Sequence, residues 1–228
     1  MPQILIIQNR INGKSVNTIY YHWSAYTESS ISELDAFADH LSKNYKNRSA
    51  KFLSKLTDNG KELIEKFNNH TLTNKESIDL FNLMSYFSIS GISSTCDESL
   101  KYLSQFTTDI NREESCHDGI LAVTDGDQDE QLSWSKGTII VDWTFDTQGY
   151  PDFEKTVFDF SDLFFTHDEE EFKEYYNPKY VQSVLSLKES PYKTSEVPLS
   201  KIKQLQNEFK EKPHAWKSSN NEILAFIE

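Results

Sequence analysis

Residues 4–23 read ILIIQNRINGKSVNTIYYHW and contain the strongest local structural signal of the chain. An apolar run at 4–7 leads into Asn12-Gly13, and a second run rich in β-forming residues follows at 18–23. Asn-Gly between two such runs is a strong hairpin signal. The sequence therefore predicts an antiparallel β-hairpin, with a loop longer than the tightest hairpins allow and a bulge.

After Thr27 the apolar residues recur at the spacing of a helix instead of a strand. Ser30 and Glu33 form a capping-box pattern at the start of this helical segment. These features predict a helix over 30–44 that packs on the apolar side of the hairpin through Phe37 and Leu41. The apolar residues at helical spacing are Ile31, Leu34, Phe37, Ala38 and Leu41.

Helical patterns continue to about residue 106. We interpret Asn59-Gly60 as the stop of one helix, and Thr73 with Glu76 as the capping box of a later one. The segment 30–106 is thus predicted to be a mostly helical layer.

A second β region begins at Gly119. Strands are predicted at 120–123, 138–145 and 153–160, followed by helices after Thr166 and near Ser200. This order predicts an α+β fold, in which an antiparallel sheet of the hairpin and the strands around 119–160 packs against the helical layer. We expect one domain over 1–228, with a division into 1–110 and 111–228 as the alternative.

The composition excludes several classes of protein. With 37% hydrophobic residues and 15 Phe, the chain has enough apolar area for a sizeable core and is not a disordered chain. No apolar run approaches the roughly 20 residues of a transmembrane helix. The start shows no basic segment or cleavage site of a secretory signal, which predicts a cytoplasmic location. Cys96 and Cys116 are accordingly expected to be free thiols.

The segment Thr18-Ile19-Tyr20-Tyr21-His22-Trp23-Ser24-Ala25-Tyr26 resembles a diffuse group of short phage- and prophage-encoded proteins of Gram-positive bacteria. Those proteins share a β-hairpin, an Ile-Tyr-x-His-Trp/Tyr strand, an Asp-Gly-Tyr-Pro turn and a helix. Here 24–27 replaces the turn. The resemblance covers 1–40, with echoes at 118–123 and 133–137. It implies a mobile-element origin and transfers no catalytic residue.

Metal and cofactor motifs are weak. The stretch 125–130 begins like a calcium loop, but the sixth position is Glu130 and the twelfth is Lys136, where an EF-hand needs Gly and Glu. Cys96 and Cys116-His117 lack the paired spacing of a zinc site. No glycine-rich phosphate loop or G-x-S-x-G elbow occurs. We therefore expect no cofactor or metal.

Aromatic residues cluster at the exit of the hairpin. His22, Trp23 and Tyr26 are candidates for contact with a ligand or partner. The alternative is that they pack the hairpin onto the first helix, because buried aromatic residues dominate protein cores.

Charge is the most informative feature. Segment 125–174, here called the acidic segment, carries −12 of the chain's net −13, whereas 43–66 carries +4. We predict that the acidic segment forms a face interleaved with aromatic residues, namely Trp143, Phe145, Tyr150, Phe153, Phe158 and Phe160. The predicted partner-binding residues of this face are Asp125, Asp127, Asp129, Glu130, Asp152, Glu154, Asp159, Asp162, Asp168, Glu169, Glu170 and Glu171.

Such a face attracts a basic surface and repels nucleic acid. The leading hypothesis is a non-enzymatic interaction protein that occupies a basic surface of a host protein, including one that normally holds nucleic acid. The alternative is a small hydrolase or nucleotide-modifying enzyme with a site assembled from His22, Asp125, Asp127 and His167. A third reading is a structural protein whose acidity serves solubility alone.

Overall fold

The computed structural model describes residues 4–21, 27–89, 94–95, 97–110, 120–123, 137–159, 178, 194–197, 215–217 and 223–225. The helices are α1 (Thr27–Lys46), α2 (Ala50–Leu53), α3 (Asp58–Asn68), α4 (Asn74–Ser88) and α5 (Asp97–Leu103). The strands are β1 (Leu5–Ile11), β2 (Lys14–Tyr21), β3 (Ser94–Thr95), β4 (Ile120–Ala122), β5 (Gly137–Phe145), β6 (Pro151–Asp159), β7 (Thr194–Val197), β8 (Ala215–Lys217) and β9 (Ile223–Ala225). The α+β class is confirmed.

The main sheet has seven strands in the order β3-β4-β2-β1-β5-β6-β7, and β8 and β9 form a separate antiparallel pair. Most neighbours in the main sheet are antiparallel, as predicted. Two pairs, β1–β5 and β3–β4, are parallel. The N-terminal hairpin and the later strands therefore belong to one sheet, joined at its centre by β1 and β5.

The predicted hairpin is confirmed. Strands β1 and β2 pair antiparallel around Asn12 and Gly13, whose φ angles are 53° and 73°. Positive φ at both central residues is the type I′ geometry that suits the twist of a hairpin. The loop has only two residues, so the expectation of a longer one was wrong. The predicted bulge is present, because the register shifts between Asn9 and Arg10.

Helix α1 covers the face of the sheet that forms the core. Leu34, Phe37 and Leu41 are buried in one cluster with residues of β1, β2 and β5, as expected. The helix begins at Thr27, one turn before the predicted start. Ser30 is therefore inside the helix and fully buried, and the proposed capping box with Glu33 does not start it.

Helices α3 and α4 pack beside α1. Asn59-Gly60 does not end a helix but lies in the first turn of α3, whose N-cap is Thr57. Gly60 is needed there because a Cβ would overlap the carbonyl oxygen of Phe106. The capping box of Thr73 and Glu76 at the start of α4 is confirmed in full.

The strands predicted after Gly119 are present as β4, β5 and β6. The two closing helices predicted after Thr166 and near Ser200 lie outside the described residues, as do Cys96 and Cys116. Within the described residues, no helix combines the length and the apolar character needed to cross a membrane.

Candidate functional site

The structure describes the middle of the acidic segment, residues 137–159. Asp152 is exposed at the start of β6, and Glu154 and Asp159 lie further along this strand. The remaining residues of the predicted face lie outside the described part of the chain. They are Asp125, Asp127, Asp129, Glu130, Asp162, Asp168, Glu169, Glu170 and Glu171.

Two carboxylates of the acidic segment have structural roles. Asp142 on β5 forms a bidentate ion pair with Arg10 on β1, at 2.8 Å from Nε and 2.6 Å from Nη2. The pair is half-buried, and its hydrogen bonds raise the pKa of Arg10. Asp146 accepts hydrogen bonds from the backbone N–H groups of Gln148 and Tyr150 and closes the β5–β6 turn. Asp142 thus links β5 to β1, and Asp146 stabilises the turn between β5 and β6.

The predicted interleaving of acidic and aromatic side chains is wrong at Trp143. Its side chain is only 3% exposed and packs on Phe37 and Phe81, at ring-centroid distances of 6.1 and 5.5 Å. Phe145 and Tyr150 are partly buried and pack against the same core. The alternation of a half-buried strand explains this, because odd positions of β5 face the helices while Asp142 faces the other way.

Part of the positive charge of the basic stretch 43–66 is neutralised by ion pairs in the folded protein. Carboxylates from outside this stretch pair with its lysines: Asp39 with Lys43, Asp109 with Lys55, and Glu76 with Lys66. The helical layer thus balances much of its own charge through neighbouring side chains. Among the described residues, Arg10–Asp142 is the ion pair that links the first 110 residues to the acidic segment.

A cleft of about 350 Å³ lies between α3 and α4, lined in part by Lys66, Lys75, Glu76 and Gln105. Its floor includes Asp79, which is 6% exposed. One carboxylate oxygen of Asp79 accepts a 2.5 Å hydrogen bond from Tyr102, and the other accepts a 2.7 Å bond from Lys75. Burial, together with the hydrogen bond to Asp79, raises the pKa of Tyr102, so the phenol stays a donor at neutral pH.

A buried line of hydrogen bonds runs from this floor into the sheet. Asn82 donates to the Tyr102 hydroxyl at 3.4 Å, and Asn17 donates to Asn82 at 2.8 Å. Asn9 in turn donates to Asn17 at 2.7 Å and accepts from the Trp143 indole N–H at 2.7 Å. We call Asp79, Tyr102, Asn82, Asn17, Asn9 and Trp143 the polar line.

The polar line was missed from the sequence. The available signal was Asn9 and Asn17 inside strands, where asparagine is disfavoured. Buried polar groups cost free energy unless they are hydrogen-bonded, and here each amide has a partner. Its members present amides, an indole, a hydrogen-bonded phenol and the carboxylate of Asp79, which is paired with Tyr102 and Lys75. This arrangement fixes β1, β2, β5 and α4 relative to one another.

Within the described residues, no group of three or more His, Cys, Asp or Glu side chains is placed to hold a metal ion. The aromatic cluster His22, Trp23 and Tyr26 lies outside these residues. So do 125–130, His117 and His167, which carry the calcium, zinc and enzyme alternatives.

Comparisons of the chain with protein-family models, with curated proteins and with solved structures found no significant match. The inference of function therefore depends on the charges and contacts described above.

Proposed function

We propose that this chain is a non-enzymatic interaction protein whose acidic segment binds a basic surface of another protein. The observation that carries the proposal is the segregation of charge, with −12 of the net −13 inside 125–174. Clustered charge of one sign produces a field that speeds association with an oppositely charged surface by about 10 to 10³-fold.

The contacts of the helical layer support this proposal. Lys43, Lys55 and Lys66 are paired with carboxylates of the first 110 residues. They are therefore not counterions of the acidic segment. Asp142 and Asp146 have structural roles in the sheet and are therefore not among the candidates for binding.

A protein that binds nucleic acid is the partner we propose in finer detail. A surface that normally holds nucleic acid is basic, and an acidic protein competes with nucleic acid for it. In this form the chain acts as an inhibitor that mimics nucleic acid, as its resemblance to phage-encoded proteins also suggests.

A charge-reversal experiment tests the proposal. The test variant changes Asp168, Glu169, Glu170 and Glu171 to Lys. The matched control changes Asp58, Glu62, Glu65 and Glu98 to Lys, four exposed carboxylates of the helical layer. Circular dichroism establishes that both variants fold.

A lysate protein that wild type captures should be lost by the test variant and kept by the control. Its association rate should fall as salt rises, because the Debye length is only about 8 Å at physiological ionic strength. Equal loss in both variants would show that net charge alone matters, and binding unaffected by reversal or salt would refute the proposal. Release of the captured protein by duplex DNA would support nucleic-acid mimicry.

A further inference from the structure

The chain contains two Asn-Gly pairs, Asn12-Gly13 and Asn59-Gly60. In this dipeptide the glycine backbone nitrogen attacks the asparagine side-chain amide carbon, forming a C–N bond and releasing ammonia. Water then opens the resulting succinimide to aspartate or isoaspartate. Glycine favours the attack because it has no Cβ and rotates freely. Whether each pair reacts depends on how far its backbone can move.

Asn12 and Gly13 form the exposed tip of the hairpin. Apart from its chain neighbours, no atom of the described residues lies within 4 Å of the position a Gly13 Cβ would take. Reaction requires only that the tip leave its left-handed conformation, and exposed turns open at little cost in free energy.

Asn59 and Gly60 are held in the first turn of α3. The Gly60 N–H donates to Thr57 Oγ1 at 3.3 Å, and Gly60 itself is buried against the Phe106 carbonyl. Thr57 N–H also donates to the Phe106 carbonyl oxygen at 3.0 Å. Attack by the Gly60 nitrogen therefore requires this turn to unfold and to separate from Phe106.

We propose that Asn12 is a site of spontaneous conversion to aspartate and isoaspartate, and that the fold protects Asn59. Conversion adds a negative charge between Arg10 and Lys14. Isoaspartate also adds a methylene to the main chain of a two-residue turn, which the pairing of Ile11 with Lys14 does not accommodate. The modification thus acts on the strand that lies at the centre of the sheet.

The test is peptide mapping by mass spectrometry after the full chain is incubated at mildly alkaline pH, once folded and once in urea. In the folded protein, the Asn12 peptide should gain the mass of amide-to-acid exchange at least about tenfold faster than the Asn59 peptide, which corresponds to about 1.4 kcal/mol of opening free energy. In urea the two rates should converge. An Asn12→Gln variant, which abolishes the fast component, is the control.

Equal rates in the folded protein would overturn the protection of Asn59. An Asn12 that reacts only in urea would overturn the proposed site, because the turn itself would then be protective.

Discussion

The indole Nε1 of Trp143 donates a 2.7 Å hydrogen bond to Oδ1 of Asn9 and so ties β5 to β1 within the core. The next pair along the same two strands, Arg10 and Asp142, forms its ion pair on the opposite face of the sheet. The central parallel pair is therefore fixed by polar contacts on both faces.

Asn17 joins the strand part of the polar line, through Asn9, to its helix part, through Asn82. We expect Asn17→Ala to lower the free energy of unfolding by about 3 kcal/mol, because it leaves Asn9 and Asn82 with unpaired buried groups. Urea denaturation measures this change. Asn59→Ala, at an exposed helical position, is the control and should change stability by less than about 0.5 kcal/mol. A loss at Asn17 no larger than that of the control would contradict the role of the polar line.

The Arg10–Asp142 pair should be coupled more strongly than a surface pair. The contact between Arg10 and Asp142 is bidentate, and their side chains are 30% and 22% exposed. The side chains of Lys43 and Asp39 are 69% and 56% exposed. A double-mutant cycle on the first pair should give a coupling of about 1 kcal/mol or more, against about 0.3–0.5 kcal/mol for the second. Equal coupling energies would show that solvent screens the Arg10–Asp142 ion pair as strongly as the surface pair of Lys43 and Asp39.

Tyr45, which is buried, and Tyr102, which is partly buried, should respond in opposite ways to loss of the hydroxyl. The hydroxyl of Tyr45 has no hydrogen-bond partner among the described residues, so Tyr45→Phe should be neutral or stabilising by up to about 1 kcal/mol. Tyr102→Phe removes the bond to Asp79 and should destabilise the protein by about 1–3 kcal/mol. Thermal unfolding of both variants decides this, and a destabilised Tyr45→Phe would mean that its hydroxyl has a partner.

Gly60→Ala should destabilise the protein by about 1–3 kcal/mol, although alanine normally favours a helix, because the new Cβ overlaps the Phe106 carbonyl. Urea denaturation again measures the effect, with Asn59→Ala as the neighbouring control. A stabilised Gly60→Ala variant would show that α3 can move away from Phe106.

The pKa of the Glu76 carboxyl group should be lower than that of an ordinary glutamate. The hydrogen bond from Lys66 and those from Thr73 lower the pKa of Glu76 from 4.5 to about 2. A carboxyl group whose pKa is lower in the folded than in the unfolded protein stabilises the fold at pH values above its unfolded pKa. This contribution to the free energy of unfolding is lost as the pH falls from about 4.5 to about 2. NMR titration of the Glu76 side chain measures the pKa directly. Lys66→Met should raise it, and an unchanged pKa in that variant would exclude Lys66 as the main cause.

Two local signals predicted local structure correctly, whereas the local pattern of Ser30 and Glu33 did not mark the start of α1. Asn12-Gly13 predicted the hairpin and Thr73 with Glu76 predicted the start of α4, because each motif acts within a few residues. Gly60 was misread as a helix stop because its role depends on Phe106, which is distant in sequence.

The polar line was beyond prediction for a related reason. Asn9, Asn17, Asn82 and Trp143 come together only through the pairing of β1 with β5 and the position of α4. No spacing within a single segment carries that information. The acidic segment, by contrast, is visible from the sequence because it depends on composition alone.

The pairing of β1 with β5 also constrains the order of folding. When the first 110 residues have emerged from the ribosome, the hairpin and the helices are available, but β5, which completes the centre of the sheet, is not. Until residues 137–145 emerge, one edge of β1 has no strand beside it and Asn9 lacks its indole donor. Contacts of such long sequence separation slow folding and prolong exposure of the open edge. Chaperone binding during synthesis is therefore expected to be concentrated in this interval.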